Sequence, residues 1–353
     1  MIKKLQNALP AEVDAALITS DVNRRYYTEM KSSAGTLLIT REKAFLIIDF
    51  RYIEKARATA KGCEVILQDK LYSQIEQIAK ENGVKRMAIE GAYMTVSQLE
   101  MLKAKLPDFE IAPFGLDKVI FAQRAVKTPQ ELEYMRAAQK IADKAFNELL
   151  NFIKAGRTEI EVATELEYLM RKFGGEGISF ETIAVSGSNS SMPHGVPTEK
   201  KLENGDFLTL DFGTKFGGYC SDTTRTVAIG QVSEEQQKVY ETVLLAQEKA
   251  FEAIKAGAKC SDIDFAARNV IENEAGYKGC FGHGLGHSLG LEIHEEPRFS
   301  PLCGDIAQVG NILSVEPGIY LEGKFGVRIE DVVIIKENGF ENITNCPKEL
   351  IML

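Results

Sequence analysis

A diverged internal repeat is the feature of this sequence that most limits its fold. One copy, KAGRTEIEVATELEYLMRKFGG, begins at Lys154, and the other, KAGAKCSDIDFAARNVIENEAG, begins at Lys255. Each copy is a K-A-G turn followed by the pattern of an amphipathic helix, and each leads to a glycine-flanked histidine and then to a hairpin with two carboxylates. Two copies are too few for a solenoid, which needs about three or more. The repeat therefore predicts an α+β domain made of two pseudo-twofold halves, with a site between them.

The chain before this repeat alternates short apolar runs with helical patterns. AALIT, GTLLIT, AFLIID, EVIL and RMAIE are typical of strands, and DFRYIEKARATA, YSQIEQIAKEN and SQLEMLKAKL are typical of helices. This alternation predicts a small α/β domain with a mixed sheet. The pattern changes at Pro113, and Thr128 with Pro129 then begins a long helix as its N-cap and first helical residue. We therefore expect two domains, 1–122 and 123–353, as the length of the chain also favours.

The composition excludes several classes of protein. The net charge of −9 argues against a general nucleic-acid binder, which would present a basic face. No run of about 18 apolar residues is present, so a membrane span is not expected. The first residues, MIKKLQNALPAEVDAALI, lack the continuous apolar core of a signal peptide. The six cysteines form no C-x-x-C pair and are typical of reduced thiols. We expect a cytoplasmic protein that binds neither nucleic acid nor membrane.

Two predicted hairpins each bring a pair of acids together. FLTLDFGTKFGGYCSDTTRTVAI places Asp211 opposite Asp222 if it folds symmetrically about Phe216–Gly217. ILSVEPGIYLEGKFGVRIEDVVII places Glu316 opposite Glu330 if it folds about the glycine of its LEGK segment. Like charges directly opposite on a sheet destabilise it, and an unpaired carboxylate among apolar residues is costly. Two such pairs in related hairpins therefore need a compensating charge.

Divalent cations bound between the acids would supply that charge, and four carboxylates with a neutral imidazole can hold two ions. For any one of the acids alone, exposure to solvent or pairing with Arg225 or Arg328 remains the alternative. The presence of both hairpins near the histidines favours a metal site.

The four histidines all lie in glycine-rich or proline-flanked segments. Three are in HGLGHSLGLEIH, as His283, His287 and His294, and the fourth is His194 in SMPHG. His283 and His287 are four residues apart, as in the helix of H-E-x-x-H zinc enzymes. The intervening Gly-Leu-Gly disfavours a helix, so we expect a loop or the start of a strand. A lone histidine is more often structural, but four in loops that allow a close backbone approach indicate a site.

Together these motifs resemble those of the pita-bread metallopeptidases of family M24. The matching segments are FETIAVSGSNSSMPHG, DFGTKFGGYCSDTTRT, GHGLGHSLGLEIHEEP, SVEPGIY and GVRIEDVV, and LIIDFRY resembles a segment of the creatinase-type N-terminal domain. The nearest members in pattern are the Xaa-Pro peptidases, prolidase (Xaa-Pro dipeptidase) and aminopeptidase P. The resemblance covers the chain. It implies a creatinase-type α/β N-terminal domain, a pita-bread α+β catalytic domain and a homodimer.

The resemblance also implies a metal centre of two divalent ions. Its five ligands would be Asp211, Asp222, His287, Glu316 and Glu330, with Asp222 and Glu330 bridging the ions. Manganese is favoured by the resemblance, while cobalt, iron and zinc also suit such a donor set. None of the five residues is substituted in this chain.

The same resemblance implies a hydrolytic mechanism on proline-containing dipeptides or short peptides. Glu316 would take a proton from the attacking water and pass it to the departing proline nitrogen. His283 and His294 would donate hydrogen bonds to the substrate backbone and the developing oxyanion. His194 would line the proline pocket or meet the leaving group.

Three further residues are candidates for the site. Arg328 lies two residues before Glu330, so on a strand it shares that face, and we expect it to orient Asp222 or Glu330. Tyr320 is a candidate for substrate contact, with a place in the core as the alternative. Arg298 is a candidate clamp for a substrate carboxylate, with a plain surface position as the alternative.

Several functions remain open on the sequence alone. A dipeptidase must bind the carboxylate of the product proline, whereas an aminopeptidase must leave that end open, and the sequence does not separate the two. A methionine aminopeptidase is disfavoured, because those enzymes usually lack the N-terminal domain. A pita-bread protein that only binds partners could have lost ligands, and this chain keeps all five.

Overall fold

The computed structural model describes all 353 residues, and they divide into two compact units, Met1–Gln123 and Arg124–Leu353. Compactness alone does not define independently folding domains, so the sequence-based division after residue 122 stays a prediction. Each unit is described below by itself.

The N-terminal unit contains a six-stranded mixed sheet with the strand order β4-β3-β2-β1-β5-β6. The strands are β1 Ala15–Ile18, β2 Thr36–Thr40, β3 Ala44–Ile48, β4 Glu64–Leu67, β5 Arg86–Ile89 and β6 Glu110–Ala112. The helices are α1 Ile2–Ala8, α2 Asp21–Thr28, α3 Ile53–Thr59, α4 Leu71–Glu81, α5 Val96–Lys105 and α6 Leu116–Ala125, the last of which crosses the division between the units. Pairing is antiparallel in β1–β2 and β2–β3 and parallel in β1–β5, β3–β4 and β5–β6. The predicted α/β domain with a mixed sheet is confirmed.

Two helices of this unit differ from the prediction, and a local side-chain hydrogen bond lies at the start of each. The helix predicted for DFRYIEKARATA begins only at Ile53, because the Asp49 carboxylate accepts from the backbone N–H of Arg51 at 2.9 Å and closes a turn first. Helix α2 was not predicted, although the Ser20 hydroxyl caps it by accepting from Asn23 N–H at 3.2 Å.

The second unit contains four long helices and two main antiparallel sheets. The helices are α7 Pro129–Leu149, α8 Glu159–Lys172, α9 Glu234–Ala253 and α10 Cys260–Asn269. One sheet has the order β11-β8-β7, from β7 Ile183–Ser186, β8 Phe207–Phe212 and β11 Thr223–Ala228. The other has the order β13-β12-β14-β17-β18, from β12 Gly286–Ser288, β13 Glu295–Phe299, β14 Ile312–Val315, β17 Asp331–Lys336 and β18 Gly339–Asn342. Two short hairpins are also present. One pairs β9 Lys215–Phe216 with β10 Tyr219–Cys220, and the other pairs β15 Gly318–Leu321 with β16 Phe325–Arg328.

Each sheet packs with its own pair of helices, as the internal repeat predicts. Helices α7 and α8 share a buried core with the first sheet through residues such as Phe146, Leu166 and Phe212. Helices α9 and α10 share a second core with the other sheet, which includes Val243 and Ile263. Burial of each such side chain contributes about 1.5–3 kcal/mol. The unit therefore has two core clusters, and the second also includes Phe207 of β8 and Ala228 of β11 from the first sheet.

The first acid hairpin differs from its predicted register by two residues. Asp211 pairs with Thr224 rather than with Asp222, and the turn is formed by Gly217 and Gly218 rather than by Phe216–Gly217. Both glycines have positive φ angles, 58° and 85°, which the two-residue turns of hairpins favour and other residues resist. A shift of two residues leaves every side chain on its original face, so the acids still share one face.

The second acid hairpin has the predicted register. Val315 pairs with Asp331 and Gly318 pairs with Arg328, on either side of the predicted match between Glu316 and Glu330. These two glutamates lie in the short irregular segments between the paired strands. The register prediction is therefore confirmed for this hairpin.

Candidate active site

One cavity of about 760 Å³ in the Arg124–Leu353 unit collects nearly all of the predicted site residues. Its lining includes the five predicted metal ligands, the other three histidines and two arginines: Asp211, Asp222, His287, Glu316, Glu330, His194, His283, His294, Arg298 and Arg328. Tyr320 does not line the cavity and lies behind it, in contact with two of these residues. Residues from both halves of the internal repeat therefore meet in one site.

The centre of the site is a group of acids around one imidazole. Possible ligand atoms of Asp222, His287 and Glu330 all lie within 4.8 Å of one another. The Nε2 atom of His287 is 3.4 Å from Glu316 Oε1 and 3.6 Å from Asp222 Oδ2. Asp222 and Glu330 are 3% and 1% exposed, which excludes the alternative that these acids face solvent.

The hydrogen bond of His287 Nδ1 determines which ring nitrogen has a lone pair that faces the acids. His287 Nδ1 lies 3.2 Å from the carbonyl oxygen of Ser288, and a carbonyl can only accept, so Nδ1 carries the hydrogen. Burial lowers the pKa of His287, which favours the neutral ring. The Nε2 lone pair therefore points towards the carboxylates, an arrangement typical of a metal-binding histidine.

The burial and mutual repulsion of these acids favour a bound cation. Burial, and then the charges of Glu330, Asp211 and Glu316, raise the pKa of Asp222 well above its usual range. Burial and two of the same neighbours do so for the pKa of Glu330, and burial raises the pKa of Glu316. Asp211 Oδ1 and Glu330 Oε1 are buried without a hydrogen-bond partner, which is costly for a polar atom. Carboxylates with one imidazole suit divalent Mn, Fe, Co and Zn, so these residues fit such ions.

Arg328 supports the acids from the side, in a way that differs from the expectation. Its Nη2 donates to Asp211 Oδ2 at 2.6 Å, and its Nε donates to the Thr224 hydroxyl at 3.1 Å. That hydroxyl donates to Glu330 Oε2 at 2.7 Å. Arg328 therefore orients Asp211 directly and Glu330 through Thr224, whereas the sequence predicted contacts with Asp222 or Glu330. Arg225 pairs with Asp331 at 2.7 Å and neutralises none of the four acids.

Both ring nitrogens of His283 have partners within the protein. Its Nδ1 lies 2.8 Å from the carbonyl of Gly284, so Nδ1 carries the hydrogen, and burial lowers the pKa of the ring. Its Nε2 lies 3.0 Å from the Tyr320 hydroxyl. Because the neutral ring has no hydrogen on Nε2, the Tyr320 hydroxyl donates to it, while the same hydroxyl accepts from Arg328 Nη1 at 2.8 Å. Tyr320 thus links Arg328 to His283 and is not itself at the cavity wall.

The exposed imidazoles lie on the open side of the cavity. The His294 ring packs edge-on against His287 with the ring centres 4.4 Å apart. Desolvation of the ring, followed by the charges of His287, Arg298 and His194, lowers the pKa of His294 to about 4, so the ring is neutral near pH 7. Arg298 is on the exposed face of β13, opposite His287 in register, and its Nε lies 3.2 Å from Glu296. These side chains are free to meet a ligand.

Sequence reasoning missed two hydroxyls that hold the predicted ligands. Thr224 binds Glu330, and Ser314 donates to Glu316 Oε1 at 3.0 Å while accepting from the backbone N–H of His287 at 3.0 Å. Thr224 follows Asp222 by two residues, and Ser314 precedes Glu316 by two. The same alternation that identified Arg328 would have identified both.

Three further features concern the histidine segment, the cysteines and the helices. His287 lies in strand β12 and His283 in the loop before it, so the expectation of a loop or strand in place of a helix is confirmed. All six cysteines are free thiols. None of the helices combines the length and apolar character needed to cross a membrane.

Comparison with known proteins gives full-length matches. A solved Xaa-Pro dipeptidase from Bacillus anthracis is 41% identical with a TM-score of 0.96, covering 100% of this chain and 99% of that one. A solved X-Pro aminopeptidase from Thermotoga maritima MSB8 is 36% identical with a TM-score of 0.92, covering 99% of both. The Xaa-Pro dipeptidase of Pyrococcus furiosus is 37% identical over 340 residues, which is 96% of this chain and 95% of that protein.

Family models match both parts of the chain. The model of the creatinase/prolidase N-terminal domain matches residues 1–126, and that of metallopeptidase family M24 matches residues 133–337. The predicted combination of a creatinase-type domain with a pita-bread catalytic domain is thereby confirmed. The chain belongs to metallopeptidase family M24, and it also carries the N-terminal domain shared by creatinases and prolidases.

Proposed function

We propose that this protein is a dinuclear metal-dependent peptidase that hydrolyses the Xaa-Pro bond at the N terminus of dipeptides or short peptides. The observation that carries the proposal is the buried group of Asp222, His287 and Glu330, whose possible ligand atoms lie within 4.8 Å of one another. The full-length similarity to two Xaa-Pro dipeptidases and an X-Pro aminopeptidase supports the choice of substrate.

Five residues would hold the metal ions: Asp211, Asp222, His287, Glu316 and Glu330. Divalent ions bound there would supply Lewis-acid chemistry and lower the pKa of a water molecule. We propose Mn²⁺ as the native metal, since the oxygen-rich donor set suits it, while iron, cobalt and zinc are compatible with the same set. The two buried oxygens without partners, Asp211 Oδ1 and Glu330 Oε1, support this assignment.

Glu316 would move the proton that the reaction requires. The nitrogen of proline carries no hydrogen in a peptide, so it must gain a proton to leave as an amine. Glu316 lies at the cavity wall, and the Ser314 hydroxyl fixes its Oε1. A carboxylate oriented in this way can accept a proton from water and donate it to the leaving nitrogen.

The exposed histidines would hold the substrate. His294 and His194 both line the cavity, and a neutral imidazole can donate one N–H to a substrate oxygen. His283 would act through its link to Tyr320 and Arg328, which keeps Asp211 in place. Of the three histidines expected to contact substrate, two keep that role in the proposal.

Arg298 is the residue on which the choice between dipeptidase and aminopeptidase depends. The side chains of Arg298 and its ion-pair partner Glu296 are each about half exposed. Such surface pairs contribute little to stability. The guanidinium can therefore turn to bind the carboxylate of a product proline with two parallel hydrogen bonds. Because Arg298 can bind this carboxylate, we propose that the protein is a dipeptidase. A homodimer and a cytoplasmic location stay predictions.

Activity of the metal-stripped protein after addition of Mn²⁺ tests the proposal, with Ala-Pro, Ala-Pro-Ala and Met-Ala-Ser as substrates. Cleavage of Ala-Pro alone is expected. Cleavage of Ala-Pro-Ala would favour an aminopeptidase, and turnover of Met-Ala-Ser alone would overturn the preference for proline. Glu316→Ala and His287→Ala should abolish activity and lower the metal content of a folded protein, and an active variant with full metal content would contradict the ligand assignment.

A further inference from the structure

Two loops carry histidines to the cavity, one from each half of the internal repeat. The His194 loop comprises residues 187–197, between β7 and the irregular segment that leads to β8, and the His283 loop comprises residues 281–285 before β12. Apart from a 3-10 turn at Gly187–Ser191, neither loop has regular structure. Their positions must therefore be fixed by contacts with other elements.

A single buried carboxylate holds both ends of the His194 loop. Glu159, the first residue of α8, is 0% exposed. Its Oε1 accepts from the backbone N–H of Ser186 at 2.6 Å and from that residue's hydroxyl at 2.9 Å. Its Oε2 accepts from the backbone N–H of Thr198 at 3.0 Å and from that hydroxyl at 2.7 Å. Asn189 within the loop donates to both oxygens.

These contacts match a side chain that accepts hydrogen bonds at both of its oxygens. Every partner of Glu159 is a donor, and an ionised carboxylate accepts at both oxygens whereas an amide must present two N–H groups on one side. The charge lies at the N-terminus of α8, where the helix dipole favours it. Lys200 binds the Ser186 hydroxyl and Asp206, and it forms no ion pair with Glu159. Glu159 is therefore held by dipoles and not by an ion pair.

The His283 loop has a matching device on the equivalent helix. Asp264 in α10 is 1% exposed and accepts from the backbone N–H of Leu285 at 2.9 Å. It also binds Arg268, which donates to the carbonyls of Phe281 at 2.8 Å and His283 at 2.7 Å. The pair thus holds backbone groups on both sides of the histidine.

We propose that Glu159 is a positioning residue for His194, and that Asp264 with Arg268 is the positioning pair for His283. Each acts through the loop backbone and touches no substrate. The proposal rests on the proposed function, because the reaction that it tunes is Xaa-Pro hydrolysis. It implies that each half carries a buried acid on its second helix, α8 or α10, which sets one imidazole at the shared cavity.

The central variant is Glu159→Gln, which keeps the size of the side chain and turns two acceptor contacts into repulsive N–H pairs. Misplacement of a site group by about 1 Å can cost about 100-fold in rate, so we expect kcat on Ala-Pro to fall by about 10–100-fold with KM and Mn²⁺ content nearly unchanged. The matched control is Glu161→Gln in the same helical turn, because glutamine preserves the capping box with Thr158.

The imidazole NMR signals of the Zn²⁺-loaded protein separate positioning from stability. A general loss of stability would not shift the signal of one histidine alone. The chain has only four histidines, so each signal can be assigned. We expect Glu159→Gln to shift His194 and leave His283 in place, and Asp264→Asn to shift His283 and leave His194 in place. Glu161→Gln and the exposed Asp262→Asn should shift neither.

The pattern of shifts and rates decides the matter. Equal shifts of all four imidazoles, or a kcat loss without any shift of His194, would overturn the proposal and leave Glu159 a purely structural residue. If Glu159→Gln does not fold, Thr198→Val removes one contact to Glu159 and should still shift His194 alone. If the wild-type protein cleaves neither proline peptide, the proposed function fails, while the spectra still show whether these acids position the histidines.

Discussion

Arg328 and Asp211 are joined by a 2.6 Å hydrogen bond between Nη2 and Oδ2. The same guanidinium donates to the Tyr320 hydroxyl and to the Thr224 hydroxyl, which holds Glu330. One planar group thus connects two predicted metal ligands and the tyrosine behind the cavity. Because Arg328 is 3% exposed, its charge also offsets part of the charge of the acids around it.

Arg328→Lys should lower kcat/KM on Ala-Pro and weaken Mn²⁺ binding, each by about 10–100-fold. A lysine keeps the charge but cannot reproduce the fixed fork that reaches three groups at once. Steady-state kinetics and a Mn²⁺ titration measure the two effects. Arg136→Lys, at the partly exposed pair with Glu341, serves as the control. Equal metal affinity in Arg328→Lys and the wild type would contradict the role given to this residue.

Tyr320→Phe should lower the free energy of unfolding by about 1–3 kcal/mol, because it leaves Arg328 Nη1 and His283 Nε2 without their shared partner. Urea denaturation measures the change. The exposed Tyr168 provides the control, since Tyr168→Phe should change the free energy by less than about 0.5 kcal/mol. A loss of equal size in both variants would remove the argument for the link.

Arg298→Leu should raise KM for Ala-Pro by at least about 10-fold, since a lost charge-assisted contact of this kind is worth about 1.5–3 kcal/mol. The control is Glu296→Gln, which removes the surface partner of Arg298 and should not raise KM. An unchanged KM for Ala-Pro in Arg298→Leu would show that Arg298 does not bind the carboxylate of proline.

Glu341→Gln should destabilise the protein at pH 7 by less than about 1 kcal/mol, because the carboxylate is partly exposed and such pairs are screened. The hydrogen bond from Arg136 lowers the pKa of Glu341 to about 2, below the 4.5 of the free group. Its stabilisation is therefore complete above pH 4.5 and is lost as the pH falls towards 2. Unfolding curves at pH 7 and pH 3.5 should show the difference between variant and wild type shrinking, and a growing difference would refute the pair.

The faces of the site strands could be predicted from the sequence, whereas the turn of the first hairpin could not. Alternation along a strand depends on local geometry, so Asp211 and Asp222 came to the same face even though the register of the first hairpin was two residues off. The position of the turn depended on the positive φ angles of Gly217 and Gly218, and a sequence with two adjacent glycines allows more than one centre.

The contacts that support the site were harder to predict, because they join residues far apart in the chain. Glu159 binds Ser186 and Thr198, and nothing in the helix pattern of α8 separates Glu159 from the exposed Glu161. The partner of His283 was not predicted for a similar reason, since Tyr320 lies 37 residues later, in the β15–β16 hairpin. Burial and hydrogen-bond direction appear only when both partners are in place.

The metal content of the protein tests the central claim most directly. After loading with Mn²⁺ and removal of unbound metal, elemental analysis should find two Mn²⁺ ions per wild-type chain and fewer in Asp222→Asn, whose carboxylate lies in the buried acid group. Asp262→Asn, on the exposed side of α10, should keep two. A wild-type chain that retains no Mn²⁺, Fe²⁺, Co²⁺ or Zn²⁺, or an Asp222→Asn variant with both ions bound, would contradict the account.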